Sequence, residues 1–182
     1  MKWMIASDLH GSALYGELLL TAYRREGADR LVLLGDLLYH GPRNDLPAGY
    51  DPKRLAGMLN AMRREIFCVR GNCDAEVDQM VLEFPILAEY ALLDLGGLVV
   101  FAAHGHHFHE KNPPPMGKGD VLLCGHTHVP ACIDHGDYVY MNPGSVSIPK
   151  EGSVRGYMTL EGGVFRWRDL AGGLLREYEV RR

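Results

Sequence analysis

Five short apolar runs in this 182-residue chain each lead into residues able to bind a metal ion. Trp3-Met4-Ile5-Ala6 leads to Asp8 and His10, and Leu31-Val32-Leu33-Leu34 leads to Gly35-Asp36. Ile66-Phe67-Cys68-Val69 leads to Gly71-Asn72, Leu98-Val99-Val100-Phe101 to His104, and Val121-Leu122-Leu123 to Gly125-His126-Thr127-His128. Runs of this length, closed by turn-forming residues, read as buried strands. An open α/β sheet gathers its chemistry just beyond the ends of its strands. The pattern therefore predicts a metal-dependent active site.

The intervening segments predict the frame. Ser12 caps a helix running to about Gly27, with Leu14, Leu18, Leu19 and Ala22 on its apolar face. A second helix fits Asp51 to Arg64, with Pro52 in its first turn and Leu55, Met58, Leu59 and Met62 apolar. A short third helix follows Asp74. This β-α-β-α-β order favours parallel strands joined by right-handed crossovers.

The second half reads as hairpins. Ala88–Leu95 and Leu98–Ala103 flank Gly96-Gly97, and Ala131–Asp134 and Tyr138–Met141 flank His135-Gly136-Asp137. From Tyr157 onward, Glu161-Gly162-Gly163 and Ala171-Gly172-Gly173 separate three more strands. The expectation is two packed mixed sheets with helices outside, in one domain spanning residues 1–182. The Pro/Gly-rich loops His40–Tyr50, His107–Gly119 and Asn142–Gly156 are expected near the pocket mouth. Asn142-Pro143-Gly144-Ser145 is expected to fix a turn beside the site.

Charge narrows the partners. A net charge of −4 supplies no overall basic field for nucleic acid or an anionic membrane, so attraction to a phosphorylated substrate must be local. No apolar run is long enough to span a bilayer. The first strand begins almost at once, leaving no room for a signal peptide. Cys68, Cys73, Cys124 and Cys132 lack CxxC spacing, which suits reduced thiols and a cytoplasmic location. The exposed hairpins are compatible with a homo-oligomer.

Nitrogen and oxygen donors without thiolates suit Mn²⁺, Fe²⁺, Zn²⁺ or Mg²⁺. Seven ligands are too many for one tetrahedral site and about right for two adjacent sites sharing a carboxylate. In an extended segment, Asp8 and His10 would point the same way. In Gly125-His126-Thr127-His128, the two imidazoles would diverge towards different metals if the backbone turns there. Glycines beside Asp36, Asn72, His104 and His126 permit tight turns and close approach.

Asp8-x-His10, Gly35-Asp36, Gly71-Asn72-Cys73-Asp74, His104-Gly105-His106 and Gly125-His126-Thr127-His128 resemble the five motif blocks of the calcineurin-like metallophosphoesterases. The likeness runs from Met4 to about Lys150. His40-Gly41-Pro42-Arg43-Asn44, Val69 to Met80, and Asn142 to Lys150 resemble the bacterial YfcE-type phosphodiesterase branch in particular. The resemblance implies a four-layer α/β/β/α sandwich and two divalent metal ions, foremost Mn²⁺, with Fe²⁺, Zn²⁺ or Mg²⁺ as alternatives. Asp8, His10, Asp36 and His128 would hold one metal. Asp36, Asn72, His104 and His126 would hold the other, with Asp36 bridging. Asp36 and Asn72 would be catalytic, the amide as both ligand and donor to a phosphoryl oxygen. The implied reaction is hydrolysis of a small phosphodiester by a hydroxide bridging two metals roughly 3.5–4 Å apart.

Many relatives carry His where this chain has Cys73, and in them that imidazole is thought to protonate the leaving alkoxide. A thiol is a weak donor, so poor leaving groups should suffer most and diesters or activated esters should be preferred. Arg43, Asn44, Cys73 and His106 are the expected substrate contacts, His106 either there or orienting His104. His107 and His109 lie on the neighbouring loop. A trafficking branch of the same fold serves as a metal-free interaction scaffold, but it has altered ligand positions, whereas all seven stand here. A nuclease would need a basic or aromatic groove, and no Lys/Arg cluster marks one.

Overall fold

The computed structural model describes residues 1–95 and 97–180. Its first sheet has the order β11-β10-β9-β1-β2-β3. Strands β1 (Trp3–Ala6), β2 (Arg30–Leu33) and β3 (Ile66–Cys68) run parallel. Antiparallel β9 (Gly156–Glu161), β10 (Val164–Asp169) and β11 (Leu174–Glu179) extend it from the free edge of β1. The second sheet has the order β4-β5-β6-β8-β7. Here β5 (Val99–Ala103), β6 (Asp120–Leu123) and β8 (Tyr138–Asn142) are parallel, while β4 (Tyr90–Asp94) and β7 (Ala131–Asp134) form antiparallel edges. Both sheets are mixed, as the hairpin-rich second half requires.

Strand alternation builds the layers. Trp3, Ile5 and Val32 of the first sheet meet Val100, Ala102, Val121 and Leu123 of the second in one buried cluster. The opposite faces of β1 and β2, with Met4, Ala6, Leu31 and Leu33, pack under the helices. Phe101, Leu122 and Tyr140 face outward from the second sheet, where the coil segment carrying Phe108 and Met116 covers them. Burial of both faces explains why β1, β2 and β6 read as continuous apolar runs rather than alternating ones.

Helix α1 (Ala13–Glu26) starts where Ser12 Oγ accepts the Tyr15 N–H at 3.2 Å and ends at left-handed Gly27. The residues of its buried stripe are Ala13, Gly16, Leu19, Leu20, Ala22 and Tyr23, which include the expected Leu19 and Ala22. Leu14 and Leu18, expected on the apolar face, are 44% and 42% exposed. The stripe turns because Gly16 admits Leu55 of α2 (Pro52–Asn60) at close range, and a Cβ there would lie 2.5 Å from Leu55 Cδ1. Helix α2 stops at Asn60, short of the expected Arg64. The Asn60 side chain donates to Val81 O and accepts the Glu83 N–H, tying the helix end to the segment after α3 (Glu76–Gln79). The β4–β5 hairpin forms in register Asp94↔Val99, with the Gly97 N–H donating to Asp94 Oδ1. Gly96, half of the expected turn, lies outside the described residues.

Candidate metal centre

Among the described residues, six non-glycines have positive φ, and five of them are expected ligands: Asp8, His10, Asp36, His126 and His128, at 59°, 47°, 55°, 68° and 62°. A left-handed conformation costs an ordinary L-residue about 1–2 kcal/mol. Asp and His pay less than β-branched residues. Asp8 and His10 therefore do not lie on the extended segment that their spacing predicts. Past β1 the chain hooks across the end of β2, with Asp8 N–H donating to Gly35 O, His10 N–H to Asp36 O and Gly11 N–H to Leu37 O. At His126 and His128 the backbone does turn, and their rings separate: His126 stands beside His104, and His128 beside His10.

The seven side chains converge. His10 Nε2 lies 3.2 Å from His128 Nε2, and Asp8 Oδ1 lies 3.6 Å from the first and 3.3 Å from the second. On the other side, His104 Nε2 lies 3.0 Å from Asn72 Oδ1 and 3.2 Å from His126 Nδ1. Between the two groups stands Asp36, whose Oδ2 is 3.6 Å from His10 Nε2 and 3.5 Å from His104 Nε2. Its other oxygen, Oδ1, accepts the Cys73 N–H at 2.8 Å.

Carbonyls assign the tautomers. His10 Nδ1 donates to Tyr39 O, His104 Nδ1 to Leu34 O and His128 Nδ1 to Ile148 O, at 2.8, 2.6 and 2.6 Å. Each Nε2 then carries the lone pair in the neutral ring. Two lone pairs facing each other at 3.2 Å need a cation or a proton between them. Asp8 Oδ1 is also buried without a hydrogen-bond partner, while Asp8 Oδ2 accepts the His126 N–H. The donor set therefore fits divalent metal ions, and the carbonyl partners are the kind that orient metal-binding imidazoles.

Without metal, protons and charge pairing take up the strain. Burial alone would raise the Asp8 carboxyl, but His10 and His128 outweigh it and hold it well below the usual range. Burial likewise opposes charge on His104, yet Asp36 and Asp8 push its pKa up to about 9. Burial, then the charge of Asp36, raises the Cys73 thiol to about 12. That thiol stays protonated and is a poorer acid than an imidazolium.

Supporting residues had weaker signals. Buried Asp74 accepts the N–H groups of Asp36, Leu37 and Gly71. Ser145 and Ser147 both donate to Asp8 O, and Asn142 donates to Gly125 O, so the Asn142–Ser147 turn clamps two ligand segments at once. Sequence reasoning assigned that stretch only a turn, and it gave Asp74 no role beyond its motif.

A cavity of about 500 Å³ opens over the ligands, with Arg43, Asn44 and Cys73 on its wall beside Asn72. Thr127 and Lys150 line it too, and neither was named as a substrate contact. Lys150 does belong to the loop Asn142–Gly156 expected near the pocket mouth, and it closes the Asn142–Lys150 motif run. His106 instead lines a separate hollow of about 430 Å³ with His109 and Lys111, on the other side of His126. Its ring lies edge-on to His104 at 5.4 Å and 4.0 Å from that of His107. Glu89, His106 and His107 form a small group of their own with potential ligand atoms within 4.8 Å. A further hollow of about 570 Å³, between Tyr39 and α2, contains none of the seven ligands.

The calcineurin-like phosphoesterase superfamily domain matches residues 1–162. The phosphodiesterase YfcE of Escherichia coli K12 is 48% identical over 164 residues, covering 90% of this chain and 89% of that protein. A solved structure of YfcE, described as a phosphoesterase from E. coli, superposes with a TM-score of 0.97 at 43% identity over the full length of both chains. Vacuolar protein sorting 29 from Cryptosporidium parvum shares the fold alone, with a TM-score of 0.62 and 16% identity over 98% of this chain and 97% of that one.

Proposed function

This chain belongs to the calcineurin-like phosphoesterase superfamily, and on that premise we propose that it is a dinuclear metal-dependent phosphodiesterase for small phosphodiesters. The observation that carries the reading is Asp36 Oδ2, nearly equidistant from His10 Nε2 and His104 Nε2 at 3.6 and 3.5 Å. A shared carboxylate between two imidazole-rich groups is what a paired-metal site requires. Asp8, His10 and His128 would hold one ion with Asp36, and Asn72, His104 and His126 the other. Mn²⁺ is the first choice, and Fe²⁺, Zn²⁺ and Mg²⁺ suit the same donors. When bound, such a pair supplies a water acidified to near neutral pH and positive charge for the phosphoryl oxygens.

The residues of the chain do the rest. Asn72 Oδ1 lies 3.0 Å from His104 Nε2 and its amide N–H₂ donates to Cys73 Sγ at 3.3 Å, and since both residues line the cavity, that amide would also donate to a phosphoryl oxygen. The carbonyls of Tyr39, Leu34 and Ile148 hold three imidazoles in one tautomer. Cys73, protonated and neutral, adds no negative charge against an anionic substrate. Because that thiol gives up its proton reluctantly, an alkoxide leaving group receives little help, which favours diesters and activated esters. The E. coli relative is itself named a phosphodiesterase.

The test is hydrolysis of paired aryl phosphodiester and phosphomonoester substrates by metal-stripped protein reconstituted with Mn²⁺, with Asp36→Asn alongside. The expected result is metal-dependent diester turnover exceeding monoester turnover and lost in the variant. A folded protein that hydrolyses neither ester with any of the four metals would return the chain to the scaffold reading.

A further inference from the structure

The cavity over the ligands is charged in a way that the ligands do not explain. His10 and Asp36 form its floor, 1% and 2% exposed. At its exposed rim stand Arg43 and Lys150, from two different loops. Asp36 is, among the described residues, the one acidic side chain lining the cavity, and its oxygens are engaged with His10, His104 and the Cys73 N–H. Among the described residues, neither Arg43 nor Lys150 makes an ion pair. Both loops are nevertheless fastened to the site. The Lys150 N–H donates to His128 O at 3.2 Å, and Asn44 Nδ2 donates to His40 O at 2.8 Å, closing the turn that carries Arg43.

Two unneutralised cations held at a rim by backbone anchoring are arranged for an anion. The scissile phosphodiester belongs at the floor, where the ligands are. A cavity near 500 Å³ falls in the range of roughly 300–1,000 Å³ that accommodates whole small molecules. Space therefore remains between floor and rim for an ester arm. We propose that Arg43 and Lys150 form a second anion subsite, so that the preferred substrate is a phosphodiester with a terminal phosphate or carboxylate on one arm. Arg43 offers a forked pair of donors suited to a phosphate, and Lys150 a mobile point charge. This proposal rests on the phosphodiesterase reading and specifies its substrate class.

Three p-nitrophenyl phosphodiesters test it, alike except for the second arm: ethyl, 2-carboxyethyl or 2-phosphonoethyl. The readout is the ratio of kcat/KM for each charged arm to that for the ethyl arm, in the Mn²⁺-loaded enzyme. The wild-type ratio should be about tenfold or more for the phosphonate, the scale of one charge-assisted hydrogen bond. The ratio should fall about tenfold in Lys150→Gln and in Arg43→Gln, chiefly through KM, and Lys150→Arg should retain it. Added salt should shrink it, since rim charges are screened. A wild-type ratio near one overturns the subsite. So does an unchanged ratio in both Gln variants, even if their rates fall, because the cations would then serve the scissile phosphate. Failure of all three esters to react overturns the phosphodiesterase reading, and the subsite with it, whereas turnover of the charged esters alone supports both.

Discussion

The backbone N–H of Asp36 donates to Oδ2 of Asp74 at 2.8 Å, across 38 residues of sequence. The same carboxylate receives Gly71 N–H at 2.7 Å and Leu37 N–H at 2.9 Å. One buried side chain thus pins the loop after β2 to the loop after β3, and sets where the carboxylate of Asp36 can point.

Asp74→Asn should therefore disturb both stability and metal binding. An amide keeps one accepting oxygen and turns an N–H₂ towards at least one of three backbone donors. A buried donor left facing another donor costs about 1–3 kcal/mol. The expected result is a loss of that size in denaturant unfolding of the metal-free protein, with weaker Mn²⁺ affinity. Unchanged stability and affinity would show that the clamp is redundant.

Gly35→Ala should be among the most damaging single-methyl additions. Gly35 has φ of 91°, and a Cβ there would run into Gly71 N and lie 2.6 Å from Gly71 Cα. Backbone cannot move aside as a side chain can, so both loops would have to part. A stability loss of about 3 kcal/mol or more is expected, since strain and overpacking combine. Thermal unfolding checks it, and a shift of under a degree or two would contradict the tight approach.

Cys73 separates proton donation from packing. With its thiol pushed up to about 12, Cys73→Ser should leave the pH profile of diester turnover in place. Cys73→His adds a group able to protonate an alkoxide. It should raise phosphomonoester hydrolysis, up to about 10²-fold at the low end of general acid effects. Unchanged monoester rates in a metal-loaded Cys73→His protein would leave the thiol with packing alone.

The stability of the metal-free protein should fall as pH rises from about 6.5 to about 9. His104 is raised from 6.5 to about 9, and His10 is raised as well. A raised folded-state pKa gives stability that is fully present below the unfolded value and lost as pH climbs through the folded one. His106 and His126 are both lowered, so they stay neutral throughout this window. If metal binds His104 as proposed, the ring would be a neutral ligand and the slope should flatten. Melting temperatures of stripped and Mn²⁺-loaded protein across this range decide the matter. Parallel curves would contradict it.

Strand positions were readable because β1, β2 and β6 are buried on both faces, which writes them as unbroken apolar runs. The helix start at Ser12 and stop at Gly27 were equally plain, since capping is local chemistry. The face that α1 buries was legible only in Leu19 and Ala22, because Gly16 turns the helix onto Leu55 through a contact 39 residues away in sequence. At the site, which side chains converge was legible from residue type and order. The left-handed backbone that aims Asp8 and His10 was invisible, since it arises from hydrogen bonds to Gly35, Asp36 and Leu37 on another strand. Lys150 was legible only as part of a loop expected near the pocket mouth, since its place depends on where that long loop returns.

Left-handed geometry at Asp8, His10, Asp36, His126 and His128 also restricts how this protein can change. Those positions admit comfortably only a short alphabet, mainly Asn, Asp, His and Gly. Val, Ile and Thr are closed to all five. A lineage can therefore retune the metals by trading carboxylate, amide and imidazole without disturbing the chain path. Abandoning the metals altogether would lead most easily to Asn or Gly, which leave the loops in place. The fold could then outlive its chemistry with little rebuilding.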